Sequence, residues 1–316
     1  MSSTASDCRI NESRPFRLSS VLTAFFPKSV EKLDILLEGI ALSAEMGFDS
    51  VEFFYDGPET GQIREALSRY MLSSIFLASY GMKSRGLDPG HPDLEERCRV
   101  LDSMKGWLDQ SRNCGSSHVM IVSGPDSRDP GERSSRMERS RETIKALCEY
   151  GTREPTPVRI SLEAFNDSGE PWFLLGPTSR SVEMAESLGP ACSNFSLTLD
   201  LSHLLQLREN PEESIREAID HCTHIHLANC IIANPDHPLF GDKHPAFGVE
   251  QGEVDEAILS DFLSSIISTE SLLNRPYPLT LGLEVIARDP DNPRAVMAEA
   301  KRTFDKAWRA CLHKEE

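Results

Sequence analysis

Leu197-Thr198-Leu199-Asp200-Leu201-Ser202-His203 is an apolar run that ends on a carboxylate, with a histidine three residues beyond it. The form recurs. Ile160-Ser-Leu-Glu163-Ala164, His224-Ile-His226-Leu227 and Leu279-Thr-Leu-Gly-Leu-Glu284-Val285 each put a chemically capable side chain at the carboxyl end of an apolar segment. A lone acidic residue in such a place is more often a helix N-cap or a surface group. Four at equivalent places in four successive runs call for convergence, and in a (β/α)8 barrel the strand C-termini converge on one mouth.

Working outward from these four, the chain contains eight apolar, β-rich runs: 17–26, 48–55, 73–82, 118–124, 158–166, 195–203, 222–229 and 279–286. Continuous apolar character, as in Val119-Met-Ile-Val122, fits strands buried on both faces of a parallel sheet. Between them stand helical segments predicted at Ser29 to Met46, Asp93 to Asn113, Glu132 to Gly151, Ser179 to Leu188, Pro211 to His221 and Asp255 to Thr269, several closed by glycine. The alternation is that of repeated βα units and predicts an α/β fold, a single (β/α)8 TIM barrel. Residues 1–16 read as a lead-in and 17–316 as the barrel. The turn-rich stretch Cys230 to Val254 is expected to be a long substrate loop on the C-terminal face, and Lys83 to His91 a second segment over the same mouth.

With 33 Lys and Arg against 50 Asp and Glu, the chain carries a formal charge of -17, which repels polyanions and argues against nucleic acid as a partner. The eight cysteines show no C-x-x-C spacing, and the chain is too long to need a disulfide scaffold; reduced thiols and a cytoplasmic location are expected. The Ser-rich start, Met1 to Pro15, has no apolar core, so neither a signal peptide nor a membrane anchor is expected.

Three carboxylates and an imidazole at one point, Glu163, Asp200, His226 and Glu284, make a site for one divalent cation. The oxygen-rich set favours Mn²⁺, with Mg²⁺, Co²⁺ and Zn²⁺ also compatible. His203 has two competing roles, a further ligand or a hydrogen-bond donor to a substrate hydroxyl. His224, two residues before His226, points into the barrel at another depth. Asp242-x-His244 in the long loop has a ligand-like spacing, although a turn-stabilising aspartate with a surface histidine would look the same.

The order Glu163, Asp200-x-x-His203, His226, Glu284, with Gly252-Glu-Val-Asp255 following His226, resembles the xylose-isomerase-like barrel superfamily from about Leu18 to Trp308. The resemblance to its ketose-epimerase branch implies that the four residues bind one divalent metal, that Glu163 and Glu284 flank the substrate carbon as acid and base, and that His203 touches a substrate oxygen. His226-Leu-Ala-Asn-Cys230, with His237-Pro-Leu-Phe-Gly-Asp242-Lys-His244, is similar to a narrower branch of sugar phosphate isomerases and C-glycoside deglycosidase catalytic subunits.

The apurinic endonucleases of the same superfamily are also resembled at Glu163, Asp200, His203, His226, Asp242, His244 and Glu284. Two further histidines of their three-zinc site are missing, where this chain reads Leu77-Ala-Ser-Tyr80 and Ile121-Val-Ser-Gly124. In place of those ligands, Asp242 and His244 are expected to shape the substrate pocket.

The expected chemistry is therefore proton transfer next to a sugar carbonyl through an enediolate, by an isomerase or epimerase. The alternative is a lyase, decarboxylase or deglycosidase on a 3-oxo-sugar, the deglycosidase calling for a small β-rich partner subunit; a metal-binding protein without catalysis is the remaining class. The partner is a small sugar or oxo-sugar, and a homo-oligomer is left open.

Overall fold

Eight parallel strands close into a barrel in the order of the sequence, each paired with its neighbours and β1 with β8. They are β1 Phe16–Val21, β2 Ser50–Phe53, β3 Ser73–Leu77, β4 His118–Val122, β5 Arg159–Glu163, β6 Phe195–Asp200, β7 Cys222–Ala228 and β8 Leu279–Glu284. The structure, a computed structural model, describes residues 14–127, 129–153, 155–165, 173–269, 278–288 and 290–314. Most of the expected lead-in, Cys8 and part of the fifth predicted run lie outside the described residues.

Seven of the eight predicted runs contain their strands, and β1 starts one residue ahead of its run at Phe16, but three runs go on into something else. Leu22–Phe25, Ala78–Arg85 and Leu201–Gln206 are helical turns that begin where β1, β3 and β6 stop. Their apolar side chains pack over the barrel mouth, so the run stays apolar while the backbone changes period, and a short apolar run alone does not separate the two. The helix expected from Ser29 begins instead at Leu33, after a single tight turn over Pro27–Val30, and ends at Glu45. Ser29 donates its hydroxyl to the Leu22 carbonyl rather than capping that helix.

Other starts follow the expected side-chain rule. Asp93, Asn210 and Asp255 accept backbone N–H groups at the heads of Leu94–Cys114, Pro211–Ala218 and Glu256–Ile267. Thr60–Tyr70 and the terminal helix Pro293–Lys314 were not among the predicted segments. The terminal helix buries Trp308 edge-on against Phe16 of β1, ring centroids 5.1 Å apart.

Side chains alternate along each strand, one set toward the helices and the other into the barrel. The outer set is apolar, as Leu197 and Leu199 of β6 show. The inner set is polar: Glu52, Ser161, Thr198 and His224 are fully buried and bonded to one another across the lumen. Bulky branched residues usually fill this space. Here a hydrogen-bonded file does, and it ends beneath the mouth.

Candidate metal centre

Asp200 shows how the local sequence sets the site. As the last residue of β6 it caps the helix that follows, its Oδ1 accepting the Ser202 N–H at 2.6 Å, the His203 N–H at 3.3 Å and the Ser202 hydroxyl at 2.6 Å. One carboxylate oxygen is thus spent on the cap. The other, Oδ2, is buried without a hydrogen bond. The N-cap and ligand readings of Asp200 are both open to it, because the two oxygens face different ways.

The remaining members meet it from β5, β7 and β8. His226 Nδ1 lies 2.9 Å from Glu284 Oε2, 3.4 Å from Glu163 Oε1 and 3.8 Å from Asp200 Oδ2. The four ligand atoms all fall within 4.8 Å of one another. His226 Nδ1, Glu284 Oε2 and Asp200 Oδ2 are each buried without a hydrogen-bond partner. Uncompensated carboxylates cost several kcal/mol each in such surroundings. A cation about 2.0–2.2 Å from each donor spaces adjacent donors by roughly 3.0–3.5 Å, which the observed separations bracket. The donor set therefore fits a divalent ion.

Which nitrogen of His226 faces the cluster is decided by a residue the sequence reading passed over. Glu52 of β2, fully buried, accepts from His226 Nε2 at 2.9 Å through one oxygen and from His224 Nε2 at 3.0 Å through the other. With Nε2 carrying the proton, the Nδ1 lone pair turns to the carboxylates, the arrangement in which a ligating histidine is oriented by a buried acid. Burial alone would raise the Glu52 carboxyl, but the two imidazoles hold it below the usual carboxylate range. The signal was present in Ser50-Val-Glu52-Phe-Phe54, where a glutamate interrupts a buried apolar run.

Gly282 makes this possible. Level with His226 across the β7–β8 pair, it would place a Cβ 2.3 Å from Glu52 Oε1 and 2.9 Å from His226 Cδ2.

His203, Asp242 and His244 form an adjoining set. His203 donates from Nδ1 to the Ala164 carbonyl at 3.0 Å and from Nε2 to Asp242 Oδ1 at 3.1 Å. Two acceptors on one imidazole describe an imidazolium. Accordingly, although burial opposes it, Asp200, Asp242 and Glu163 push the His203 pKa up to about 9. His244 Nε2 stands 2.6 Å from Asp242 Oδ1, and its Nδ1 is buried without a partner 3.5 Å from Glu284 Oε2. His244 sits at φ 40°, in the left-handed region, where the Cβ of any L-residue crowds the following carbonyl and which recurs at functional positions.

Burial works against charging His226 and His244, yet the carboxylates around them, Glu284 foremost, raise both well above the ordinary histidine range. Glu284, which burial alone would raise, is held well below its usual range by His244 and His226. The cluster thus calls for positive charge, from protons or from an ion.

Asp200, His203 and His244 offer a second set of donors within the same reach. Ser79, in one of the two stretches that lack the nuclease histidines, is buried on the wall of the cavity above the cluster. Ser123 instead accepts the Leu175 N–H at 3.0 Å.

Above the cluster opens a cavity of about 520 Å³ whose wall includes Glu163, His226, Glu284, Ser79, Tyr80 and Lys83. Lys83 and Ser84 come from the start of the segment expected over the mouth, and the Lys83 ammonium sits 4.4 Å from the Phe165 ring centroid. His203, Asp242 and His244 stand behind Asp200 and do not line this cavity. The loop from Cys230 to Val254 is closed at its base by Asn229, whose Oδ1 accepts the Val254 N–H at 2.8 Å. All seven cysteines among the described residues are free thiols, and among these residues no helix is long and apolar enough to cross a membrane.

The closed eight-stranded barrel is an α/β TIM barrel, and the acidic and imidazole side chains clustered at its mouth could hold a metal ion. Residues 40–264 match the family described as the xylose isomerase-like TIM barrel, and the chain belongs to that family. Among solved structures it is similar to a D-tagatose 3-epimerase-like protein at 16% identity and TM-score 0.71, covering 95% of this chain and 100% of that one. It is likewise similar to the IOLI protein with a bound zinc atom at 18% and 0.66, covering 94% and 98%. A family 2 AP endonuclease from Brucella melitensis follows at 18% and 0.64, covering 90% and 97%. At these identities the likeness is one of fold. No curated protein sequence matches the chain.

Proposed function

We propose that the protein is a divalent-metal-dependent sugar isomerase or epimerase, with Glu163, Asp200, His226 and Glu284 as the metal ligands. The observation that carries this reading is the set of buried, unpartnered donor atoms facing one another at the floor of a cavity of small-molecule size. The similarity to a D-tagatose 3-epimerase-like protein and to a zinc-bearing IOLI protein supports it. The net charge of -17 weighs against the nuclease alternative.

A divalent ion held there supplies Lewis acidity to a carbonyl and its neighbouring hydroxyl. The chain does the rest. Glu163 and Glu284 reach the cavity from β5 and β8 and so flank a substrate from two sides. One removes the proton beside the carbonyl and the other returns it. Return to the adjacent carbon isomerises the sugar, and return to the opposite face of the same carbon epimerises it. Glu52 fixes the His226 ring, while His203 ties Asp242, and with it the loop bearing His244, to the end of β5. We assign His203, Asp242 and His244 to shaping the pocket from behind rather than to a three-metal cluster.

The test is NMR of ketoses and 3-oxo-sugars in D₂O with enzyme and Mn²⁺. Deuterium should enter one carbon next to the carbonyl. Glu163→Gln and Glu284→Gln should each slow that exchange by roughly 10²–10⁴-fold with metal still bound. Wild-type exchange in both variants refutes the assigned pair. Release of a leaving group from an oxo-sugar instead identifies the lyase reading.

A further inference from the structure

The metal set supplies only one side of the cavity above it, through Glu163, His226 and Glu284 of β5, β7 and β8. Another side is the helix Ala78–Arg85, which starts where β3 stops and turns Ser79, Tyr80, Lys83 and Ser84 to the same space. In the closed order β3 stands opposite β7. A sugar lying across the mouth with its carbonyl at the metal set therefore presents its far end to this helix.

The helix begins at Leu77 without a side-chain cap, so its first N–H groups, the positive end of the helix dipole, have no side-chain partner. A helix start alone would say little. Ser79 is an independent sign: it is 3% exposed, it lines the cavity, and its hydroxyl has no hydrogen-bond partner among the described residues. One turn on, Lys83 makes no ion pair among the described residues, in a chain whose acidic groups outnumber its basic ones 50 to 33. Its ammonium lies 4.4 Å from the Phe165 ring centroid, and a ring face steadies that charge without cancelling it as a carboxylate would. Glu163 and Glu284, the acids among the described lining residues, both belong to the metal set. A neutral ligand closing over Lys83 would strip water from the ammonium and return nothing, whereas an anionic one compensates it.

We propose that this wall selects sugars carrying an anionic group, phosphate or carboxylate, at the end remote from the carbonyl, with Lys83 and Ser79 as the specificity-determining residues. The proposal rests on the reading of this cavity as a sugar site. The competing explanation is that Lys83 is a solvated lysine packed on a ring.

The experiment is calorimetric titration of Mn²⁺-loaded protein with fructose, fructose 6-phosphate and fructuronate, with deuterium exchange followed on the same samples. At least one anionic ketose should bind about 10-fold or more tighter than fructose, the worth of a charge-assisted hydrogen bond. Lys83→Ala should erase that preference, Lys83→Glu should turn it against the anions, and Lys83→Arg should keep it. Lys83 is exposed, so these variants should keep the fold, checked by circular dichroism. Ser79→Ala should weaken the anionic ketose by about 2–10-fold, the net worth of one hydrogen bond. Tighter binding of the phosphate identifies a sugar phosphate, tighter binding of the uronate a sugar acid, and equal binding a site that reads charge alone. Fructose bound as tightly as both anionic ketoses, a preference unchanged in Lys83→Glu, or no saturable binding of either anionic ketose would each overturn the proposal. Because binding is read apart from turnover, Lys83-dependent binding without deuterium exchange refutes only the isomerase reading, and exchange into fructose with no preference for charge refutes only this one.

Discussion

Replacing Glu52 by glutamine keeps its volume and removes one acceptor, so the outcome depends on which imidazole meets the amide N–H₂. If it faces His226, that ring must move its proton to Nδ1 and loses the lone pair aimed at Glu163, Asp200 and Glu284. If it faces His224, that ring can move its proton to Nδ1 and donate to Thr198 Oγ1, 3.2 Å away. The second arrangement is the cheaper one, and it spares the tautomer of His226. What remains lost is the negative charge that makes His226 a better donor. Outer-shell partners of this kind are worth about 10–100-fold in metal affinity, or roughly 1.4–2.7 kcal/mol. Glu52→Leu should be worse, since two buried N–H groups then lack acceptors at about 1–3 kcal/mol each. Competitive Mn²⁺ titration against a fluorescent chelator, with thermal melts alongside, measures both effects. Wild-type metal affinity in Glu52→Gln and Glu52→Leu together would refute the orienting role.

Two further outcomes follow from the same geometry. Gly282→Ala drives a methyl into Glu52 and the His226 ring, which their mutual hydrogen bond keeps from moving apart. A loss of about 1–3 kcal/mol in stability together with weaker metal binding is expected in melts and titration. The pH dependence of the chelated protein has a definite sign. His203 titrates near 9 in the folded state and His226 and His244 well above the ordinary range. Groups raised on folding stabilise fully below their unfolded value, about 6.5, and that contribution is lost as the pH climbs through the folded values. The Tm of chelated protein should therefore fall between pH 6.5 and 9.5, and saturating Mn²⁺ should flatten the decline; a Tm that rises over this interval contradicts the assigned charges.

The barrel was legible because its outer strand faces are apolar and its turns carry Gly, Asp and Asn where helices begin and end. Glu163, Asp200, His226 and Glu284 were legible for a related reason: each is the point where an apolar run meets a polar side chain. Glu52 lies mid-strand, and only its meeting with His224 and His226 across the lumen, 172 and 174 residues away, shows what it does. Gly282 lies within the apolar run Leu279–Glu284, but its need to be glycine is set by the Glu52 carboxylate and is visible only in three dimensions. The strand ends were overrun at Leu22, Ala78 and Leu201, because an apolar helix turn over the mouth keeps the same composition as the strand beneath it.

The central claim is that one divalent ion is held by Glu163, Asp200, His226 and Glu284. It is tested most directly by the metal-to-chain ratio, from elemental analysis after dialysis against Mn²⁺ and then metal-free buffer. Wild-type protein and His203→Ala should retain about one ion per chain, and Asp200→Ala close to none. Full occupancy in Asp200→Ala, or three zinc ions per wild-type chain with cleavage of abasic DNA, would contradict it.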